Sequence, residues 1–406
     1  MEKHELRAAG SLAAVFSVRM LGLFMVYPVF AAFARHLAGA TPYKIGVALG
    51  IYGLSQGVLQ MPFGALSDRI GRKLMIVLGL LLFAAGSAVA ARAVTIDGMI
   101  VGRLLQGAGA IGSVVLALVA DLTAEKSRTK AMALVGMTIG FSFLVAIVTG
   151  PAVAGWVGVG GIFWLMAALA LVGIAITLFV VPAAPRPHLQ AEAETVSALV
   201  AASLRNPQLL RLDFGIFALH AMLTASFLVV PALLRGTLAV SPRDQWLVYL
   251  PVLLVSVAVM VPVIILAERR RRLKAAVVGA VAAMAASQLM LAMGGSDTYV
   301  LLAALVVFFS GFNIMEASLP SLVTKTAPRG ATGTATGIYS SSQFLGIFVG
   351  GVVGGWVHET AGTTAVFLFA AALAIAWLLV AATMRGPALG YDSGRLPITA
   401  RRSPDR

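Results

Sequence analysis

The chain has 406 residues, of which 60% are hydrophobic and 11% charged, against about 25% charged in soluble domains. A soluble fold of this size could not cover its surface with so few polar groups, so lipid must be part of its solvent. The absence of cysteine removes disulfides, thiolate metal sites and cysteine nucleophiles from consideration.

Hydropathy predicts twelve spans, at 10–34, 43–66, 74–92, 97–120, 131–156, 161–181, 210–234, 245–267, 275–293, 298–323, 332–357 and 362–384, each long enough to cross a bilayer as a helix. The first contains Arg19 and lacks a small-residue cleavage site, so it reads as a membrane helix and not a signal peptide. The net charge of +14 falls mainly on alternate connections. One side holds Lys3, Arg7, Arg69, Arg72, Lys73, Lys126, Arg128, Lys130, Arg186, Arg205, Arg269 to Arg272, Lys274, Lys325, Arg329 and the tail; the other holds Arg35, Lys44, Arg92, Arg235 and Arg243. The positive-inside rule then places both termini in the cytoplasm of a bacterial-type inner membrane. This basicity is a topology signal with affinity for anionic lipid headgroups, and no nucleic-acid footprint.

The expected organisation is a six-helix bundle at 1–181, a cytoplasmic linker at 182–209 with a short surface helix near Glu192 to Leu204, a second six-helix bundle at 210–384, and a disordered tail at 385–406. The halves align at an offset of 200. Pro62 matches Pro262, Asp68-Arg69 matches Glu268-Arg269, Arg72 matches Arg272, and Gly155-Trp156 matches Gly355-Trp356. Duplicated halves suit a transporter whose cavity lies at their interface near the midplane and faces either side in turn.

The connection after the second span reads Gly64-Ala65-Leu66-Ser67-Asp68-Arg69-Ile70-Gly71-Arg72-Lys73. Gly64 permits close helix approach, Gly71 permits a tight turn, and Asp68 is an acid amid bases that could sit against the N-terminal dipole of the eleventh span and hold a cytoplasmic gate shut. The segment resembles the signature loop of the major facilitator superfamily, G-x-L-x-D-R-x-G-R-K, at every defined position. The resemblance extends over the whole chain in span number, linker and repeat. Within that superfamily, Phe16 to Gly22, Ile51 to Gln56, Met315 to Ala317 and Tyr339 to Gly346 are similar to the YajR-type branch of proton-driven drug antiporters. Some members of the branch carry an additional soluble C-terminal domain; the twenty or so polar residues after the last span here are too few to fold alone.

The resemblance implies roles for further residues. Arg103, followed by Gly107 and Gly109, looks like the superfamily's intramembrane arginine motif associated with proton coupling; alternatively Arg103 snorkels to the nearby interface. Asp121 is placed by the resemblance in a charge relay with Asp68 and Arg72, or is an ordinary solvated acid. Gly150, Pro151 and Gly155 in the fifth span look like the antiporter-type motif, incompletely matched because Ala146 and Ala154 stand where glycines are expected. The residues themselves point elsewhere as well. Ionisable groups are expensive in hydrocarbon and demand partners or a wet cavity, and Arg19, His220 and Glu316 fall near the midplane of the first, seventh and tenth spans. In the superfamily arrangement these spans line the central cavity. Glu316 and His220 would then carry protons and Arg19 would answer them; the alternative is a static Arg19–Glu316 pair with His220 as a packing residue. Gln56, Gln60, Asn313 and Gln343, with Phe24, Tyr27 and Phe344, are expected either to line the cavity or to serve as interhelical ties or lipid-facing filler.

No G-x-x-x-x-G-K-[ST] loop, H-E-x-x-H pair or G-x-S-x-G elbow occurs, so no enzyme, cofactor or metal site is expected. The expected function is proton-coupled export of small amphipathic or hydrophobic compounds by a monomer, with proton-coupled uptake of a sugar or other metabolite as the main alternative and a non-transporting sensor or scaffold as a remote one.

Overall fold

The computed structural model describes residues 2–182, 193–270, 272–327 and 331–384, without the side chains of 125, 126, 128, 129, 133 and 193–198. Residues 183–192 of the expected linker and the tail at 385–406 lie outside the described residues. The described residues are mainly helix: α1 (Lys3–Ala34), α2 (Pro42–Ile70), α3 (Arg72–Ala91), α4 (Ile96–Ala108), α5 (Gly112–Asp121), α6 (Glu125–Ala175, extended by a π-helical turn at Ile176–Val180), α7 (Ala193–Leu204), α8 (Pro207–Leu238), α9 (Trp246–Arg269), α10 (Leu273–Gly294), α11 (Thr298–Thr326) and α12 (Thr332–Ala382). Among the described residues, nine helical segments are long and apolar enough to cross a membrane. Phe141, Leu254 and Leu379 stand 62–68% exposed on them, an outward face that lipid accepts and water does not.

Three breaks differ from the expected spans, and glycine explains each. Both α6 and α12 run for 51 residues, about 76 Å if straight and so more than twice the hydrocarbon thickness. Each is interrupted at one glycine, Gly158 (φ 69°) and Gly362 (φ 80°), in a region closed to residues with a Cβ. The loops expected at 157–160 and 358–361 are therefore single-residue breaks. The fourth span, expected as one helix, is divided into α4 and α5 at Gly109. There the chain packs so tightly that a Cβ on Gly109 would lie 2.2 Å from the Gly79 carbonyl oxygen.

Two packing series set the frame. The α12 helix runs antiparallel to α2: a Cβ on Gly57, Gly53, Gly50, Gly46 or Gly355 would meet Ser341, Phe344, Phe348, Gly351 or Pro42 respectively. It runs parallel to α8, where Gly346, Gly350 and Gly354 lie on Phe217, Ala221 and Ala225. Small residues let these backbones approach to where dispersion is strongest. Since α2 ends at the signature loop, α8 and α12 both begin at that end of the molecule. At the opposite end Tyr43 donates its backbone N–H to Glu359 Oε2 (2.8 Å) and Lys44 pairs with Asp97 (3.0 Å). The contacts repeat at the sequence offset: Gly155 packs on Arg243, and Gly355 on Tyr43, so each half offers the other the same glycine and the same helix start.

Candidate functional site

At the signature loop, Gly71 adopts φ 101° and ends α2 so that Arg72 opens α3. Arg72 is the centre of the network: it pairs with Asp68 one turn back, donates from Nε to Asp121 Oδ2 at 3.0 Å, and donates from Nη1 to the Ser67 hydroxyl at 2.6 Å and weakly to the Gly64 carbonyl. Lys73 reaches across to the Val181 carbonyl (2.8 Å) beyond α6. Arg69 is exposed, and Gly64 accommodates the Ser113 side chain. One guanidinium thus clamps two carboxylates from two helices, which a lysine could not do in the same plane. Close by, Glu5 of α1 accepts the Ala124 N–H (2.8 Å) at the start of α6, a capping acid supplied from a distant part of the chain.

The membrane interior holds two polar clusters. In the first half, Arg19 donates to Gln56 Oε1, Gln56 donates to Gln60 (3.1 Å), and the Arg19 guanidinium lies over the Tyr52 and Phe83 rings. Arg103 is 1% exposed, so it does not snorkel to the interface. It donates to Gln106 (2.9 Å) and to the Ala48 carbonyl, and its guanidinium also lies over the Tyr52 ring, 4.9 Å from the centroid. Gly107 makes this possible, because a Cβ there would strike Ser55 and the Tyr52 carbonyl. Gly150 brings α6 onto the Met25 carbonyl of α1, with Pro151 following it.

In the second half, His220 of α8, Glu316 of α11 and Gln343 of α12 meet. His220 Nδ1 faces the Ile216 carbonyl (3.3 Å), Nε2 lies 2.8 Å from the Gln343 amide nitrogen, and Glu316 Oε2 is 4.0 Å from the same Nε2. These contacts fit one arrangement, a neutral imidazole donating from Nδ1 and accepting the Gln343 amide proton at Nε2. Glu316 Oε2 receives no hydrogen bond. The pairing of Glu316 is therefore with His220; Arg19 is engaged by Gln56, and the static Arg19–Glu316 pair is not formed. Asp213, which the sequence analysis did not single out, is also buried on α8, with Oδ1 lacking a partner.

The expected cavity-lining groups are packed against neighbouring side chains. Phe24 packs edge-on against Phe143 (5.0 Å), Phe143 stacks on Phe312 (5.1 Å), and Phe312 lies 5.8 Å from the His220 ring. This aromatic series joins the two halves of the chain and ends on the His220–Glu316 pair. Tyr27 contacts the Thr224 hydroxyl (3.3 Å), Asn313 donates to Ser256 (2.8 Å), and Phe344 lies 6.3 Å from Tyr52.

Apolar helices packed through glycine, a clamped signature loop and ionisable groups held in the interior define a multi-pass membrane transporter. The chain belongs to the major facilitator superfamily: the model described as Major Facilitator Superfamily matches residues 12–351 and 212–400. It is 45% identical over 387 residues to the inner membrane transport protein YajR of Escherichia coli K12, covering 95% of this chain and 85% of that protein. It is 33% identical over 168 residues to Multidrug resistance protein 2 of Bacillus subtilis 168, covering 40% of this chain and 41% of that one. A crystal structure of the nucleoside transporter NupG superposes with a TM-score of 0.71 at 15% identity, over 94% of this chain and all of the other, a likeness of fold alone.

Proposed function

We propose that the protein is a proton-coupled exporter of small amphipathic or hydrophobic compounds, working by alternating access between two six-helix bundles. In this reading each 51-residue segment crosses the membrane twice and α2 crosses once, giving twelve spans in an inner membrane with both ends of the chain in the cytoplasm. The observation that carries the proposal is the Glu316–His220 pair, 4.0 Å apart, at the end of an aromatic series shared by both halves. A greasy, adaptable wall suits apolar cargo, and a carboxyl beside an imidazole is chemistry for holding and releasing a proton. Gln343 couples the two: protonating His220 Nε2 removes its lone pair, so the Gln343 amide must turn its oxygen toward the ring. That rearrangement links protonation on α8 and α11 to the position of α12. The Asp68–Arg72–Asp121 clamp acts in the same scheme as the latch at the cytoplasmic end, the family similarity to a multidrug resistance protein favours export, and the protein acts as a monomer.

The test is proton release from purified protein in detergent and weak buffer on adding ethidium or tetraphenylphosphonium, wild type against Glu316→Gln. Release that disappears in the variant, with binding retained, supports exchange through Glu316. Binding of these probes without release overturns exchange and favours proton-coupled uptake.

A further inference from the structure

We propose that Glu359 is the latch of the end opposite the signature loop: a carboxylate of the second half that caps the first turn of α2 in the first half, and so completes that helix only while the two halves touch there. The inference rests on the alternating-access reading and adds to it the contact that holds one of the two states.

The start of α2 can be accounted for donor by donor, since the first turn of a helix has N–H groups with no partner inside it. Pro42 has no N–H to offer. Lys44 donates to the Thr41 side chain (3.2 Å) and Ile45 to the Thr41 carbonyl (2.9 Å). Tyr43 donates to Glu359 Oε2 at 2.8 Å, across 316 residues of sequence and from one half to the other. One turn earlier on α12, Gly355 lies on the same helix start, where a Cβ would be 2.8 Å from the Pro42 carbonyl oxygen. That close approach of two backbones carries the carboxylate to Tyr43.

Within its own helix the position is a poor one. Glu359 stands in the last turn before the break at Gly362, where the helix dipole disfavours a negative charge; the N-terminal end of α2 favours one. The cations flanking that start are engaged elsewhere, Arg35 with His36 (3.3 Å) and Lys44 with Asp97 (3.0 Å), so the helix end is what holds the carboxylate. At the sequence offset of 200, Glu359 is matched by Val159, which has no acceptor, and Gly155 meets the flexible Arg243 side chain. The duplicated contact therefore carries a latch on one side only.

The two ends differ as a closed latch requires. Gly46 and Gly355 leave no room for a Cβ beside the facing backbone, whereas Gly333 and Gly337, at the start of α12 by the signature loop, have nothing among the described residues within 4 Å of theirs. Rocking the latched end apart gives the Tyr43 N–H and the carboxylate back to water, so the opened state lacks one charge-assisted bond.

Distances between spin labels in lipid nanodiscs test this. Val94→Cys and Tyr299→Cys, 77% and 83% exposed, mark the two halves at this end; Leu6→Cys and Lys325→Cys, both exposed, mark them at the signature-loop end. Glu359→Ala is expected to raise the ratio of long to short distances for the first pair about 3- to 10-fold, with the opposite change for the second. Glu359→Gln, whose amide oxygen still accepts the N–H but carries no charge, shifts the ratio by less. Asp244→Asn removes a charge whose partner, Ser241, lies in the same half, and shifts neither pair. Glu359 is exposed, and a thermal melt checks that each variant is folded. Wild-type ratios in Glu359→Ala, beside a Gly46→Ala protein that does shift both pairs, overturn the latch and leave alternating access standing. If neither variant moves either pair, alternating access fails and the latch falls with it.

Discussion

Replacing Gly46 by alanine separates a moving interface from a fixed one. A Cβ at Gly46 would lie 2.1 Å from the Gly351 carbonyl oxygen and 2.8 Å from Gly355 Cα. Ordinary contact needs about 3.4 Å or more, and neither neighbour is a side chain that can swing away, so α2 and α12 must part by roughly an ångström. Overpacking of this kind costs about 1–3 kcal/mol. If the two halves rock apart at this end during the cycle, the cost is borne only by the conformation in which they touch. The equilibrium then shifts toward the separated one by roughly 5- to 150-fold. Gly350→Ala is the control: its Cβ would meet the Ala221 carbonyl oxygen at 2.2 Å, but α8 and α12 belong to the same half and stay together throughout. That variant is expected to lower the melting temperature without changing the conformational balance. Because the chain has no cysteine, spin labels on His36→Cys and Ala361→Cys, both exposed positions at this end, report the distance between halves with no background. The reasoning predicts longer distances for Gly46→Ala and an unchanged distribution for Gly350→Ala. Equal distributions in all three proteins, with Gly46→Ala merely less stable, would refute it.

Arg72→Lys keeps the charge but loses the fork that serves Asp68, Asp121 and Ser67; stability should fall by about 1 kcal/mol, given the partial exposure of both acids, as read by thermal unfolding in detergent. Arg103→Leu strips Gln106 and the Ala48 carbonyl of their donor in a fully buried position and is expected to cost about 2–4 kcal/mol; the same melt, with Arg103→Lys recovering only part of the loss, checks it. Gly150→Ala, whose Cβ would stand 2.4 Å from the Met25 carbonyl oxygen, should destabilise by about 1–3 kcal/mol, whereas Gly136→Ala, with nothing within 4 Å of its Cβ, should be neutral or stabilising by up to about 1 kcal/mol. Opposite signs in a side-by-side melt are the expected result for this pair.

The sequence by itself determined where the helices lie, because a membrane span must be apolar for about 20 residues and that requirement is one-dimensional. It also carried the turn at Gly71, the signature loop, the internal repeat and the interior positions of Arg19, His220 and Glu316, since charges in apolar runs are conspicuous; it left the burial of Arg103 open between a motif role and the interface. Which of these groups meet was decided by tertiary structure. Most of these spans are hydrophobic all round, so their pattern leaves the rotation about the helix axis open. That rotation puts Arg19 on Gln56, Glu316 beside His220, and the aromatic residues against one another. Asp213 shows the limit most directly. The hydropathy pattern did not single it out, and its burial accompanies the close seating of α12 on α8 through Gly346, Gly350 and Gly354. Those glycines are visible in the sequence, but the helix each one receives is not, because close approach depends on two surfaces and a sequence displays them separately.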